Sequence, residues 1–285
     1  MKNFLKKLFI NLPSFLIYPI YLLQKKNQNI ILDFLYDNSP NKNNLTLREK
    51  KSLINKLLLS FKHVKSATSF ESNLAILRYG LKNIDPTSNG CIVECGCFKG
   101  ASSITLSILA KITNKKLYIY DSFEGLPQIE NDLEKKAYYP HLTKYTEYHE
   151  GMYKGTYKEV SENIDKFGYI ENCLLIKGYF SDTLKKHDQP IDFIFVDVDL
   201  QSSLLTCIES LWGNLAKNSY LFTDDSCDIN LVKIWFDDAW WHNKFNQSAP
   251  GYIGSGCGIP LKGDYSSLGY TIKNDKDNYK LINWS

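Results

Sequence analysis

The sequence predicts an α/β fold built on a mostly parallel sheet that is covered by helices on both faces. From Cys91 onward, short apolar segments alternate with longer segments of helical spacing, which is typical of a buried parallel sheet. The first apolar segment runs into a glycine turn, Gly96 to Gly100, ahead of a helical segment. Five successive apolar segments each end in an acidic residue or a glycine turn.

The element boundaries follow from the periodicity of apolar residues. Strands are predicted over Cys91–Glu94, Leu117–Asp121, Cys173–Lys177, Phe193–Asp197 and Tyr220–Asp224. Helices are predicted over Thr46–Phe61, from an N-cap at Ser69, and over Ala101–Ile112, Thr156–Phe167 and Ser202–Leu215. Tyr270–Ile272 and Tyr279–Ile282 flank a polar turn and predict a C-terminal antiparallel hairpin at the sheet edge.

Composition and charge limit the classes of function. The chain has 285 residues, of which 44% are hydrophobic, enough for one large domain with an extension. We expect an N-terminal apolar arm and helical extension over residues 1–66 and the main domain over 67–285. A net charge of +3 predicts no nucleic-acid partner. Seven scattered cysteines without a CxxC pair predict no disulfide framework, no structural zinc and a reduced, cytoplasmic compartment.

The N-terminal arm allows two interpretations. Leu8–Leu23 is mostly apolar and is flanked by lysine pairs, but it is short for a membrane-spanning helix and contains Pro13 and Pro19. One interpretation is a packing arm or a homo-oligomer contact. The other is a peripheral membrane contact through residues 1–26 on the inner face of the membrane.

The strand ends predict the functional site, because ligands of open α/β sheets bind beyond the carboxyl ends of the strands. Asp121 ends the second strand, where a carboxylate usually binds the ribose hydroxyls of a nucleoside. The first turn holds Gly96 and Gly100 but lacks the G-x-G-x-x-G pattern. A mononucleoside cofactor is therefore favoured, and a dinucleotide-dependent dehydrogenase is disfavoured.

Five motifs occur in order along the chain. They are Glu-x-Gly-x-x-x-Gly-x-Ser at 94–102, Asp-Ser-Phe-x-Gly-x-Pro at 121–127, Gly-x-Phe-x-Asp-Thr-Leu at 178–184, Asp-x-Asp-Leu at 197–200 and Asp-Asp at 224–225. Together with the segment Gly151–Tyr157, they resemble the macrocin / mycinamicin O-methyltransferase family over roughly residues 69–240. The resemblance implies a Rossmann-like class I methyltransferase fold that uses S-adenosylmethionine and Mg²⁺.

The resemblance also implies a role for each matched residue. The methionine end of the cofactor would lie against Glu94, Gly96, Gly100 and Ser102. The ribose would bind Asp121 beside Ser122, and the adenine would lie between Phe180 and Asp182. The metal ligands would be Asp197, Asp224 and Asp225, with Asp197 also the candidate catalytic base. Carboxylate oxygens are the ligands that Mg²⁺ prefers, and a set without Cys or His argues against zinc.

The expected reaction is methylation of a sugar or polyol hydroxyl in the biosynthesis of a glycan or a glycosylated natural product. The acceptor would be a small molecule or a glycan. Two alternatives stay open: a catechol-type small-molecule O-methyltransferase, and a non-catalytic cofactor-binding scaffold. Val198 and Ser226 depart from the family pattern, which usually has glycine and an aromatic residue there. Trp235, Trp240 and Trp241 are expected to pack in the core rather than to stack on a sugar.

Overall fold

The computed structural model describes residues 25–37, 43, 45–137, 147–254 and 268–274, with side chains from residue 30 onward. One sheet contains β1 (Cys91–Cys95), β2 (Leu117–Asp121), β3 (Cys173–Lys177), β4 (Ile191–Val196), β5 (Leu215–Thr223) and β6 (Gly269–Ile272). The strand order is β3-β2-β1-β4-β5-β6, and only β6 runs antiparallel to its neighbour, β5. The predicted α/β class and mostly parallel sheet are confirmed.

Helices surround this sheet. They are α1 (Lys25–Tyr36), α2 (Leu47–His63), α3 (Phe70–Asn83), α4 (Ala101–Ile112), α5 (Tyr157–Phe167), α6 (Phe180–Thr183), α7 (Gln201–Leu211), α8 (Ile229–Val232) and α9 (Asp238–Phe245). Thr46 and Glu49 form a reciprocal capping box at the start of α2. The predicted N-cap Ser69 accepts a hydrogen bond from the Ser72 N–H at the start of α3.

Alternate residues of the strands point to opposite faces of the sheet and build two cores. On one face, Ile92 and Phe193 pack in a cluster that contains residues of α1 to α5. On the other face, Val93 and Ile194 pack in a cluster that contains residues of α7 and α9. Burial on both faces explains why the strands are continuously apolar.

The first two helices share the core of the sheet. Ile31 and Phe34 of α1 and Ile54 and Leu57 of α2 are buried in the first cluster. The boundary at residue 66 stays a prediction, and the apolar segment Leu8–Leu23 lies outside the described residues. Among the described helices, none has the length and apolar character needed to cross a membrane.

The two largest differences from the predicted boundaries lie at the end of α7 and the start of β5. Helix α7 ends at Leu211 and β5 begins at Leu215, so the helix predicted over Ser202–Leu215 is too long. Polar residues from Lys217 to Ser219 hide the start of β5 in the sequence, but Leu215 pairs with Ile191 across a bulge of β4. The predicted hairpin has its first strand in β6, while Tyr279–Ile282 lies outside the described residues.

The tryptophan cluster supports a test of core packing. The side chain of Trp241 is fully buried, its ring centroid lies 4.8 Å from that of Trp212, and its indole N–H donates to the Ile234 carbonyl at 2.8 Å. Trp235 is also buried and Trp240 is half-buried, so core packing is confirmed for Trp235 and Trp241.

We expect Trp241→Ala to lower the free energy of unfolding by about 3–5 kcal/mol, because it leaves a large cavity. Trp240→Ala, the matched control, should cost clearly less because that ring is partly exposed. Urea denaturation of both variants measures the difference. If the two variants lost the same free energy of unfolding, the result would contradict the difference in burial between Trp241 and Trp240.

Candidate active site

The carboxyl ends of the parallel strands open into one cavity of about 470 Å³. That volume is within the usual range for a small-molecule site. Five carboxylates line the cavity: Asp121, Asp197, Asp199, Asp224 and Asp225. Within the described part of the chain, no lysine, arginine or histidine lines it. The cavity therefore favours a cationic or hydroxyl-rich ligand.

The glycine turn forms one wall of this cavity. Gly96 has a φ of +82°, and a Cβ at that position would collide with the backbone carbonyl oxygen of Asp197. Gly100, with a φ of +87°, begins α4. Glycine is required at residue 96 by both its backbone conformation and its close contact with the end of β4. At residue 96 the turn therefore presents backbone, rather than a side chain, to the cavity.

Asp121 is held rigidly at the end of β2. Its Oδ2 accepts the Cys97 N–H at 2.7 Å, and its Oδ1 accepts the Phe123 N–H at 2.6 Å. Burial raises the pKa of Asp121, while these backbone N–H groups oppose the shift. Each oxygen keeps a further lone pair that can accept a hydroxyl of a ligand. Ser122 also lines the cavity, but its hydroxyl donates to the Gly125 carbonyl at 2.8 Å.

Four of the predicted cofactor residues are not part of the cavity lining: Glu94, Gly100, Ser102 and Asp182. Glu94 is fully buried at the end of β1, and its Oε2 accepts the Ser103 hydroxyl at 2.6 Å. Burial raises the pKa of Glu94 to about 8. Asp182 is exposed, whereas its neighbour Phe180 does line the cavity. The hydrogen bond from Ser103 thus ties Glu94 to α4, and its predicted cofactor role stays a prediction.

The pairing of β4 with β5 places the predicted metal ligands together. Val196 pairs with Thr223, so the residues that follow them, Asp197 and Asp224, lie side by side at the same edge. The Oδ2 of Asp225 accepts the Asp199 N–H at 3.2 Å. Burial, and then the charges of the neighbouring acids, raise the pKa of Asp197 and Asp225 well above the usual range.

The acids as they stand in the structure do not form a closed metal site. Among the described residues, no three Asp, Glu, His or Cys side chains are gathered so that they could hold a metal ion. The acids share one cavity, but their side chains do not converge on one point. The predicted ligand set therefore fits Mg²⁺ by its chemistry, and its geometry stays a prediction.

Two further cavity residues had no role in the sequence prediction. Asp199 has a left-handed φ of +59°. Burial raises the pKa of its carboxyl to about 7, while a hydrogen bond from Tyr148 acts to lower it. Tyr153 lies in the segment Gly151–Tyr157 and lines the same cavity as the acids. The Asp-x-Asp pattern and the segment Gly151–Tyr157 are visible in the sequence. The residues that they contact, Tyr148 for Asp199 and Phe98 for Tyr153, are about 50 residues away along the chain, so no local pattern reveals the contacts.

Comparison with known proteins places the chain in a family. A sequence profile of the macrocin-O-methyltransferase (TylF) family matches residues 74–247. A curated relative from Streptomyces olivaceus, the 8-demethyl-8-(2,3-dimethoxy-alpha-L-rhamnosyl)-tetracenomycin-C 4'-O-methyltransferase, is 26% identical over 141 residues. The match covers 48% of this chain and 52% of the relative, so the chain spans about half the length of that protein.

Two solved structures share the fold. The O-methyltransferase NovP superposes with a TM-score of 0.55 and 17% identity, over 87% of this chain and 97% of its own. The calicheamicin methyltransferase CalS11 gives a TM-score of 0.50 and 14% identity, over 79% of this chain and 92% of its own. With the strand order, these likenesses confirm the Rossmann-like class I fold.

The buried Glu94 generates a pH prediction. Its pKa is about 8 in the folded protein and about 4.5 in the unfolded chain, so between these values only the folded state holds the proton. The stability that this proton confers is therefore lost as the pH rises from about 5 to 8. We expect Glu94→Gln to make the decline shallower in protein freed of divalent cations.

Urea denaturation at several pH values measures this slope. Glu124→Gln is the matched control, because that carboxylate is exposed and pairs with Lys177 at 2.8 Å. The control should keep the wild-type slope. An equally steep decline in Glu94→Gln would show that Glu94 does not carry the linked proton.

Proposed function

Because the chain belongs to the macrocin-O-methyltransferase (TylF) family, we propose that it is an O-methyltransferase dependent on S-adenosylmethionine and assisted by Mg²⁺. The acceptor would be a hydroxyl of a sugar or polyol in a glycan or a glycosylated natural product. One observation carries the proposal: a single cavity joins the Gly96 turn and Asp121 to the acids at the ends of β4 and β5.

The cofactor half of the cavity fits a nucleoside bearing an amino acid. The turn at Gly96 leaves room for close approach to the backbone, and Asp121 presents two oriented oxygens to the ribose hydroxyls. Phe180 is half-buried and offers an apolar wall to the adenine. When bound, S-adenosylmethionine supplies an activated methyl group on a sulfonium. These side chains hold the methyl donor in one orientation.

The acidic half of the cavity fits a divalent cation. Mg²⁺ usually keeps several waters and binds through only one or two carboxylates, so it does not require three converged side chains. A bound cation would offset the repulsion among Asp197, Asp224 and Asp225, which we propose as its ligands. Bound magnesium supplies positive charge that favours ionisation and orientation of an acceptor hydroxyl.

The proton of the acceptor hydroxyl needs a base, and two carboxylates are candidates. Asp197 was predicted as both ligand and base. Asp199 lies outside the proposed ligand set, lines the same cavity, and is held by the Tyr148 hydroxyl and by its left-handed backbone. Variants of these two acids separate the roles, because loss of a ligand weakens metal binding and loss of a base does not.

The acceptor class is supported by the relative from Streptomyces olivaceus, whose name places its reaction on a rhamnosyl tetracenomycin. Because the match covers only 52% of that protein, the acceptor of this chain is a proposal. The predicted membrane contact of residues 1–26 and the predicted homo-oligomer also stay proposals. A panel of sugars, polyols and catechols, assayed for methyl transfer, distinguishes the sugar acceptor from the catechol alternative.

Calorimetric titration with S-adenosylmethionine and S-adenosylhomocysteine tests the cofactor assignment. We expect the wild type to bind both, and Asp121→Ala to weaken both by at least about tenfold, since hydrogen bonds to a charged group are lost. Asp182→Ala is the comparison, because this exposed acid lies outside the cavity lining and should have a smaller effect. Absence of binding by the wild type would remove the methyltransferase proposal.

Thermal unfolding with and without Mg²⁺ tests the metal assignment. We expect Mg²⁺ to raise the midpoint of the wild type, because a ligand that binds only the folded state stabilises it. Asp225→Asn should abolish this rise. Asp199→Asn should keep the rise but lose methyl transfer if Asp199 is the base. A wild-type unfolding midpoint that does not change when Mg²⁺ is added would contradict the proposed metal site.

A further inference from the structure

Phe98 and Tyr153 form an aromatic pair in the wall of the cavity. Phe98 belongs to the glycine turn, and Tyr153 belongs to the segment Gly151–Tyr157. Their ring centroids lie 5.8 Å apart with an interplanar angle of 85°, an edge-to-face contact. The proposed function gives no role to this pair, although both rings line the cavity.

The backbone at both residues is strained. Phe98 has a φ of +46° and Tyr153 a φ of +57°, a left-handed region that bulky residues rarely adopt. Gly155 fixes the arrangement, because a Cβ there would collide with the Phe98 carbonyl oxygen. The two loops therefore touch through their backbones. Strain of this kind persists where the surrounding structure imposes it, and it is concentrated at ligand sites.

Tyr153 lies at the junction of the two halves of the cavity. Its ring contacts the glycine turn on the cofactor side through Phe98. On the other side, four acids are close enough for their charges to add to burial in raising the pKa of Tyr153 to about 12; they are Asp199, Asp197, Asp225 and Asp224. Tyr153 is therefore placed to contact a group that lies between the two halves of the cavity.

We propose that Tyr153 is a catalytic residue whose ring contacts the sulfonium of S-adenosylmethionine. The face of an aromatic ring carries partial negative charge and attracts a cation placed over it. S-adenosylmethionine carries a positive sulfonium and S-adenosylhomocysteine a neutral thioether, so the ring distinguishes the methyl donor from the spent product. This proposal rests on the proposed function and deepens it, because it names the group that recognises the methyl donor.

The ratio of the two dissociation constants, measured by calorimetry, tests the proposal without an acceptor. In Tyr153→Leu, binding of S-adenosylmethionine should weaken relative to that of S-adenosylhomocysteine by roughly 3- to 30-fold. Tyr153→Phe keeps the ring and should keep the wild-type ratio. A second non-aromatic variant, Tyr153→Gln, gives the same readout if the leucine variant fails to fold.

Tyr179 provides the matched control. It is an aromatic residue of the same cavity, 42% exposed, beside the proposed adenine wall. Tyr179→Leu should affect both ligands equally, because they share the same adenosine. General damage to the site moves both constants together, whereas loss of a contact with the sulfonium changes their ratio.

Two results would overturn the proposal, and they are distinguishable. Binding of both ligands with an unchanged ratio in Tyr153→Leu and Tyr153→Gln rejects the sulfonium contact alone. Failure of the wild type to bind either ligand rejects the proposed function, and the sulfonium contact with it.

Discussion

Repulsion among buried carboxylates at the ends of β4 and β5 is the constraint that the rest of the site depends on. The register that pairs Val196 with Thr223 brings Asp197 beside Asp224, and no basic side chain among the described lining residues neutralises them. Like charges in a buried site raise one another's pKa and cost stability unless a cation or protons offset them. The apolar cores on both faces of the sheet hold the strands in register against this cost. The proposed cation would remove this cost by offsetting the charges of the acids.

The loops at this edge of the sheet are strained in the same region. Left-handed backbones occur at Phe98 after β1, at Phe123 after β2, at Tyr153 in the segment Gly151–Tyr157 and at Asp199 after β4. Left-handed backbone in such residues is imposed by the surrounding structure and is concentrated at functional sites. The ring of Tyr153 contacts Phe98 of the glycine turn, while Asp199 lines the cavity and accepts a hydrogen bond from the Tyr148 hydroxyl. The strained backbones and the acidic side chains therefore lie in the region where we propose that the methyl group is transferred.

The parts of the site that sequence could predict are those governed by local rules. Apolar strands predict a buried parallel sheet, and the carboxyl ends of such strands meet at one edge, so the shared position of Asp121 and Asp197 followed directly. The parts that sequence could not predict depend on side-chain direction and distant contacts. Glu94 is buried and bonded to Ser103 rather than part of the cavity lining, and Asp182 is exposed to solvent two residues after Phe180. The Tyr148 hydroxyl reaches Asp199 only through tertiary packing, which no local pattern specifies.

The most direct measurement is anomalous diffraction from crystals grown with S-adenosylhomocysteine and Mn²⁺, which replaces Mg²⁺ at oxygen-ligand sites and scatters anomalously. A methyl-transfer site predicts one manganese peak among Asp197, Asp224 and Asp225, bound directly to one or two of these carboxylates and through water to the rest. The ribose of the nucleoside would lie on Asp121 and its sulfur beside Tyr153. Bound nucleoside without manganese at the acids would contradict the proposal that a cation offsets their repulsion. Nucleoside bound outside this cavity would contradict the assignment of the site itself.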